Sequence, residues 1–243
     1  MKKEFFGITK NNESIQKFTL TGGGLIAKFI NWGAVLQDLK FESDSKSLVL
    51  GLEKLEDYIK HSRYFGATAG PYANRIDSGR FRINESEIQL QTNFQKKHHL
   101  HGGTEGIGRR AWNVDEVAEN ALKLSIIHPD GHMGYPGPIQ INATFSLLDS
   151  GILDIVYKAE TEKTTIVNLA HHSYFNLSGE KTILEHELKI NASTFLEVDE
   201  GLIPRGEPQS VEVGGHDFRD FRRIKNASGK ISNLDHNLSL IHI

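Results

Sequence analysis

Between residues 139 and 159 apolar side chains take every second position. Ile139, Ile141, Ala143, Phe145 and Leu147 alternate with Gln140, Asn142, Thr144 and Ser146, and the pattern resumes at Leu153, Ile155, Tyr157 and Ala159 after Asp149-Ser150-Gly151. A period of two is that of a half-buried strand, and a polar break containing glycine between two such runs predicts a β-hairpin. A second hairpin is expected where Gly79-Arg80-Phe81-Arg82-Ile83 turns at Asn84-Glu85 towards Ile88 and Leu90. Further strand-like runs are Phe18 to Leu20, Leu25 to Phe29, Leu48 to Leu50, Leu122 to Ile126 and Leu188 to Ile190. Helical spacing is persuasive only from Leu55 to His61, where Leu55, Tyr58 and Ile59 share one face. The pattern predicts an all-β chain folded as a large antiparallel β-sandwich, with function carried on the loops between strands.

Composition narrows the function classes. The 243 residues can bury a substantial core, and no repeat or linker divides them. Lys+Arg number 28 against Asp+Glu 31, so no bulk charge favours nucleic acid or an anionic membrane, and a small uncharged partner is expected. No window approaches the roughly 20 apolar residues that span a bilayer. The start, Met1-Lys2-Lys3-Glu4-Phe5-Phe6-Gly7, lacks the apolar run of a signal peptide, and a cytoplasmic protein is expected. There are no cysteines, which excludes disulfides and thiolate chemistry.

The densest candidate chemistry lies in Asn168-Leu169-Ala170-His171-His172-Ser173-Tyr174-Phe175-Asn176-Leu177. Imidazoles exchange protons near neutral pH, while amides and ring faces hold polyhydroxylated ligands. Four other polar islands accompany it: Pro71-Tyr72-Ala73-Asn74-Arg75-Ile76, His98-His99-Leu100-His101-Gly102-Gly103, Asp130-Gly131-His132-Met133-Gly134-Tyr135-Pro136-Gly137 and Asp235-His236-Asn237. Each also has a plain structural reading. Arg75 can pair with a surface carboxylate, the histidine run can be a solvated loop, and Asp130-Gly131 can be a turn. Zinc would suit His98, His99 and His101, but neighbouring residues of an extended strand face opposite ways and no cysteine or His-Glu-x-x-His helix completes a set, so no metal is expected.

Taken in this order, the islands resemble the aldose 1-epimerase (galactose mutarotase) family. Ala73 to Ile76 match its Ala-Asn-Arg-Ile motif, Leu100 to Gly103 its Leu-His-Gly-Gly motif, and Asp130 to Gly137 its Asp-Gly-x-x-Gly-Tyr-Pro-Gly turn. The motif Asn-Leu-Thr-Asn-His-Ser/Thr-Tyr-Phe-Asn-Leu falls on residues 168–177, with Ala170 and His171 replacing Thr and Asn and the histidine on His172. Gly201 to Gly206 match a further segment, with Arg205 where Thr is usual, and the Asp-His-Asn motif falls on Asp235 to Asn237. The resemblance implies a galactose mutarotase-like supersandwich and an enzyme that interconverts the α and β anomers of free aldoses by acid–base ring opening. It implies His172 as general acid and His101 as a second polarising group, with Arg75, Asn74, Asp235 and Tyr174 holding the sugar. No metal or organic cofactor is implied.

The family's base is a glutamate well downstream of Asp-His-Asn, and this sequence ends six residues after Asn237. Residues 1–237 are therefore expected to form a mutarotase-like sandwich incomplete at its C-terminal end, lacking the base and inactive as it stands. Residues 238–243 read Leu-Ser-Leu-Ile-His-Ile, the translation of a transposon end used in sequencing libraries, and a non-native adapter-derived tail is expected there. A non-catalytic carbohydrate-binding or regulatory protein is the alternative function.

Overall fold

The computed structural model describes residues 2–213, 215–225 and 236–239. They fall in two compact units, Met1–Phe175 and Asn176–Ile243.

The first unit is an antiparallel β-sandwich. Strands β1 (Lys2–Ile8), β2 (Ser14–Gly22), β3 (Leu25–Ile30) and β4 (Val35–Phe41) form one meander sheet in that order. The following stretch carries one short helix, α1 (Leu55–Lys60), and the short strands β5 (Thr68–Ala69), β6 (Arg75–Ile76), β7 (Arg80–Ile83), β8 (Ser86–Gln89) and β9 (His99–Leu100). Strands β10 (Asn113–Val117), β11 (Ala121–His128), β12 (Ile139–Leu148) and β13 (Ile152–Thr161) form the second meander sheet, and β14 (Ala170–His171) follows.

Alternation explains how the two sheets meet. Ile139, Ile141, Ala143, Phe145 and Leu147 of β12 are all buried, while the intervening residues are only partly so. Leu122, Leu124 and Ile126 of β11 lie beside them. They pack against Phe18, Leu20, Leu25, Ala27, Phe29 and Leu36 of the first sheet in one apolar cluster, with the Phe29 and Phe145 rings 4.6 Å apart. Buried Asn31 ties the sheets together at one end. Its side-chain amide donates to the Trp112 carbonyl at 2.9 Å, and the Trp112 N–H donates to the Asn31 carbonyl at 2.7 Å. A buried amide paired in this way incurs no desolvation penalty for unmet hydrogen bonds.

The predicted hairpins are present. The turn between β12 and β13 puts Ser150 and Gly151 at φ 67° and 75°, the left-handed region that short polar residues and glycine tolerate. β7 pairs with β8 from Arg80↔Gln89 to Ile83↔Ser86. Leu48 to Leu50, expected as a strand, is not one. Val49 makes an isolated bridge to Phe175, and Ser47 Oγ bonds both the N–H and the carbonyl of Val49, which diverts the local backbone from a ladder.

In the second unit, β15 (Glu187–Leu188) pairs with β18 (Arg222–Arg223), and β16 (Thr194–Val198) lies between β17 (Pro204–Ser210) and β19 (Asn237–Ser239). The expected run Leu188 to Ile190 thus contributes only its first residue to a strand, because the Ile190 N–H is drawn to the Phe218 carbonyl at 2.6 Å. Phe195, Val211 and Phe218 are the unit's most deeply buried apolar residues among those described. Leu238 pairs with Phe195 across β19 and β16.

Candidate functional site

The site begins at the ladder between β6 and β9, where Arg75 lies opposite Leu100 and Ile76 opposite His99. Asn74, just before β6, and His101, just after β9, both adopt left-handed backbone, at φ 66° and 50°. Asn and His tolerate this region better than most residues. The two close the ladder reciprocally: the His101 N–H donates to the Asn74 carbonyl at 3.1 Å, and the Asn74 N–H donates to His101 Nδ1 at 3.0 Å. Gly102 follows at φ 85°, with its Cα so near Gly70 that an added Cβ would sit 1.9 Å from that carbonyl oxygen. Only glycine fits there, which explains the Gly-Gly after His101.

That backbone bond fixes the state of His101. An Nδ1 that accepts a hydrogen bond carries no proton, so the imidazole's hydrogen resides on Nε2. Burial pushes the His101 pKa down to about 3, aided by His172, Arg75 and His99. His101 is therefore a neutral imidazole that offers an Nε2–H donor at neutral pH.

His172 reaches the same place by a separate route. β14 pairs with β5, Ala170 opposite Ala69 and His171 opposite Thr68. The ladder continues as the His172 N–H donates to the Ala67 carbonyl at 2.9 Å and the Gly66 N–H donates to the His172 carbonyl at 3.1 Å. The His172 and His101 rings then meet edge to face, with centroids 5.0 Å apart. Tyr174 packs on His172 at 5.2 Å, and its hydroxyl donates to the Arg63 carbonyl at 3.3 Å. Arg75 Nη1 donates to Asn74 Oδ1 at 3.0 Å, and its guanidinium lies 4.6 Å from the Phe94 ring centre. Arg75 Nε is buried without a hydrogen-bond partner among the described residues.

Five of the six residues expected from sequence, His172, His101, Arg75, Asn74 and Tyr174, thus form one connected group of contacts. Asp235 lies outside the described residues. Tyr64 was missing from the expectation: its ring lies 4.6 Å from that of His101 and 5.9 Å from that of His172. Its only signal in sequence is an aromatic residue between Arg63 and Phe65-Gly66, which is not distinctive.

The other histidines brace rather than converge. His99 Nδ1 bonds the Gln91 carbonyl at 2.6 Å, and Nε2 bonds the Tyr135 hydroxyl at 2.7 Å. His98 Nδ1 accepts from the Ser78 N–H at 3.1 Å. No group of three metal-ligating side chains occurs among the described residues. Asp130 takes its structural reading, accepting from the Gly137 N–H at 2.6 Å and pairing with Lys163. At His171, where the family pattern has Asn, Nε2 lies 2.7 Å from Ser173 Oγ, and burial pushes the pKa down to about 4.

An antiparallel sandwich with two imidazoles, a guanidinium, an amide and aromatic rings gathered on its loops defines a class: a β-sandwich protein with a cluster of proton-exchanging and hydrogen-bonding side chains on its loops. Comparison with known proteins makes this specific. The family model described as aldose 1-epimerase matches residues 16–241, and the chain belongs to that family. It is 39% identical over 211 residues to a galactose mutarotase of Pongo abelii, covering 85% of this chain and 61% of that protein. It is 36% identical over 207 residues to an aldose 1-epimerase of Haemophilus influenzae, covering 83% of this chain and 60% of that protein. Among solved structures, a GalM/aldose epimerase homologue from C. elegans superposes with a TM-score of 0.87 at 29% identity, over 93% of this chain and 72% of that one. A galactose 1-epimerase from Lactobacillus acidophilus gives 0.81 at 31%, over 92% and 67%. The chain thus spans about three fifths of the length of the first of these relatives. No described helix is long and apolar enough to cross a membrane, which says nothing of β-barrels.

Proposed function

We propose that this chain carries the sugar-holding and proton-donating part of an aldose 1-epimerase, which interconverts the α and β anomers of free aldoses such as glucose or galactose. The reaction removes the proton of the C1 hydroxyl and protonates the ring oxygen as the bond between C1 and that oxygen breaks. Rotation about the C1–C2 bond lets the open-chain aldehyde reclose from its other face. In this reading His172 is the general acid on the ring oxygen. His101, neutral and with its hydrogen on Nε2, polarises a sugar oxygen by donating to it. Arg75 and Asn74 hold hydroxyl groups, Arg75 through charge-assisted hydrogen bonds. Tyr174 offers a ring face, and Asp235 binds a further hydroxyl. The C1 proton needs a base, to which no residue is assigned. The chemistry uses proton transfers alone, so no cofactor enters it.

The observation that carries the reading is the pair of imidazoles in edge-to-face contact, one of them held neutral in a defined tautomer, beside Arg75 and Asn74. A second reading, carbohydrate binding without catalysis, is favoured by a different observation: among the described residues, the titratable groups that act on His101 are His172, Arg75 and His99, none of them a carboxylate. Polarimetry of freshly dissolved α-galactose separates the two. Catalysis requires faster mutarotation with protein than without, and a loss of about 100-fold or more in His172→Asn. Saturable binding with no acceleration supports the second reading, and absence of both binding and acceleration contradicts each.

A further inference from the structure

Tyr64 stands outside every motif singled out above, yet its ring touches both imidazoles. The geometry points to Tyr64, with Arg109 beside it, as the positioning residue that sets the ring planes of His101 and His172 for the proposed sugar chemistry. The proposal rests on that reading for its functional meaning, but its physical content can be tested apart from it.

The hydrogen bonds described for His172 are those of its backbone. Its ring plane is therefore set by what it packs against, namely Tyr64, His101 and Tyr174. Of these, Tyr64 also packs on His101, so a single ring spaces both imidazoles. Tyr64 itself adopts φ 61°, a left-handed conformation that a bulky residue keeps only when its surroundings impose it. Those surroundings are identifiable. The Ala67 N–H donates to the Tyr64 carbonyl at 3.0 Å, and the Tyr64 side chain lies beside Arg109, the two lining one small void. Arg109 is itself fixed, its Nη2 donating to the Ile59 carbonyl at 3.1 Å and its backbone N–H to the Gly106 carbonyl at 2.9 Å. The void among Trp32, Tyr58, Tyr64 and Arg109 is only about 10 Å³, so the tyrosine has no room to swing backwards. Arg109 also lines a cleft of about 530 Å³ with Trp32, Glu105 and Arg110, whose lining includes neither His101 nor His172.

The test is nuclear magnetic resonance of the imidazole nitrogens in the whole chain, titrated with acid and separately with galactose. The variants are Tyr64→Leu, which removes the wall, Tyr64→Phe, which keeps it, and Arg109→Gln, which alters the side chain beside it. Among the described residues, the titratable groups facing His101 are His172, Arg75, His99 and Tyr64. Loss of cover from Tyr64→Leu should raise the His101 titration point by about one pH unit or more and shift the His172 signals, while Tyr64→Phe stays close to wild type. Arg109→Gln should shift the same two rings less, and it decides the matter if Tyr64→Leu does not fold. Unmoved His101 and His172 signals in a folded Tyr64→Leu protein, or in Arg109→Gln where Tyr64→Leu fails, would overturn the positioning role. The two readings can fail separately. If wild type binds no galactose but Tyr64→Leu still moves both rings, the sugar reading fails and the positioning role stands. If wild type and Tyr64→Leu bind galactose equally with unmoved rings, the positioning role fails and the sugar reading stands.

Discussion

His101 shows how little sequence distance matters to a site. A backbone N–H twenty-seven positions away, on Asn74, selects its tautomer, and burial holds it neutral. A titration of the His101 ring should find it neutral down to about pH 4, and a midpoint near the ordinary value of about 6.5 would show that the ring is not buried as described. Tyr135 offers a second residue-scale test. Its hydroxyl meets His99 Nε2, and both residues are fully buried. Tyr135→Phe should destabilise the protein by about 1–3 kcal/mol in chemical denaturation, because a buried ring nitrogen loses its partner. A change below about 0.5 kcal/mol would mean that the nitrogen finds another. The motifs made His172, His101, Arg75 and Asn74 legible in the sequence because each sits beside glycine, aromatic or amide neighbours of a recognisable pattern. Tyr64 was not legible, since only the fold brings its ring against two histidines far along the chain.

At the scale of elements, the strands that could be read were those with one buried face. β12 alternates without a break and ends at a polar turn, so both its bounds and its inward residues follow from the sequence. β17, Pro204–Ser210, is exposed along its whole length and carries proline and glycine, so no pattern announces it. Leu48 to Leu50 misled in the opposite direction, because apolar residues there serve burial without a ladder. Gly102 marks where an element depends on a single hydrogen atom. Gly102→Ala should cost more than about 2 kcal/mol of stability and displace His101, since the new methyl group would collide with the Gly70 carbonyl. Normal stability in denaturant and an unmoved His101 signal would contradict the close approach of those two segments. In the core, Phe145→Ala should cost about 3–5 kcal/mol, because the ring is fully buried against Phe29. A much smaller loss would mean that the sheets close over the gap.

For the whole molecule, the buried histidines link folding to pH. His101 is held near pKa 3, and His128 and His171 near 4, in each case chiefly by burial. Unfolding returns each towards about 6.5, so the unfolded chain binds more protons between those values. Their contribution to stability is therefore full above about pH 6.5 and is lost as pH falls towards 4 and then 3. At pH 5 the loss amounts to at most about 2 kcal/mol for each histidine. The melting temperature should drop between pH 7 and pH 5, and less so in His128→Asn. A flat profile over that range would contradict neutral burial. The proposed function requires His101, His172, Arg75 and Asn74 to act as one sugar site, and galactose titration followed by the imidazole signals is its decisive test. Binding should shift His101 and His172 together along one saturation curve, and Arg75→Met should weaken that curve by about tenfold or more. Signals that stay still at galactose concentrations well above about 1 mM, the upper end of ordinary enzyme affinities, would contradict it.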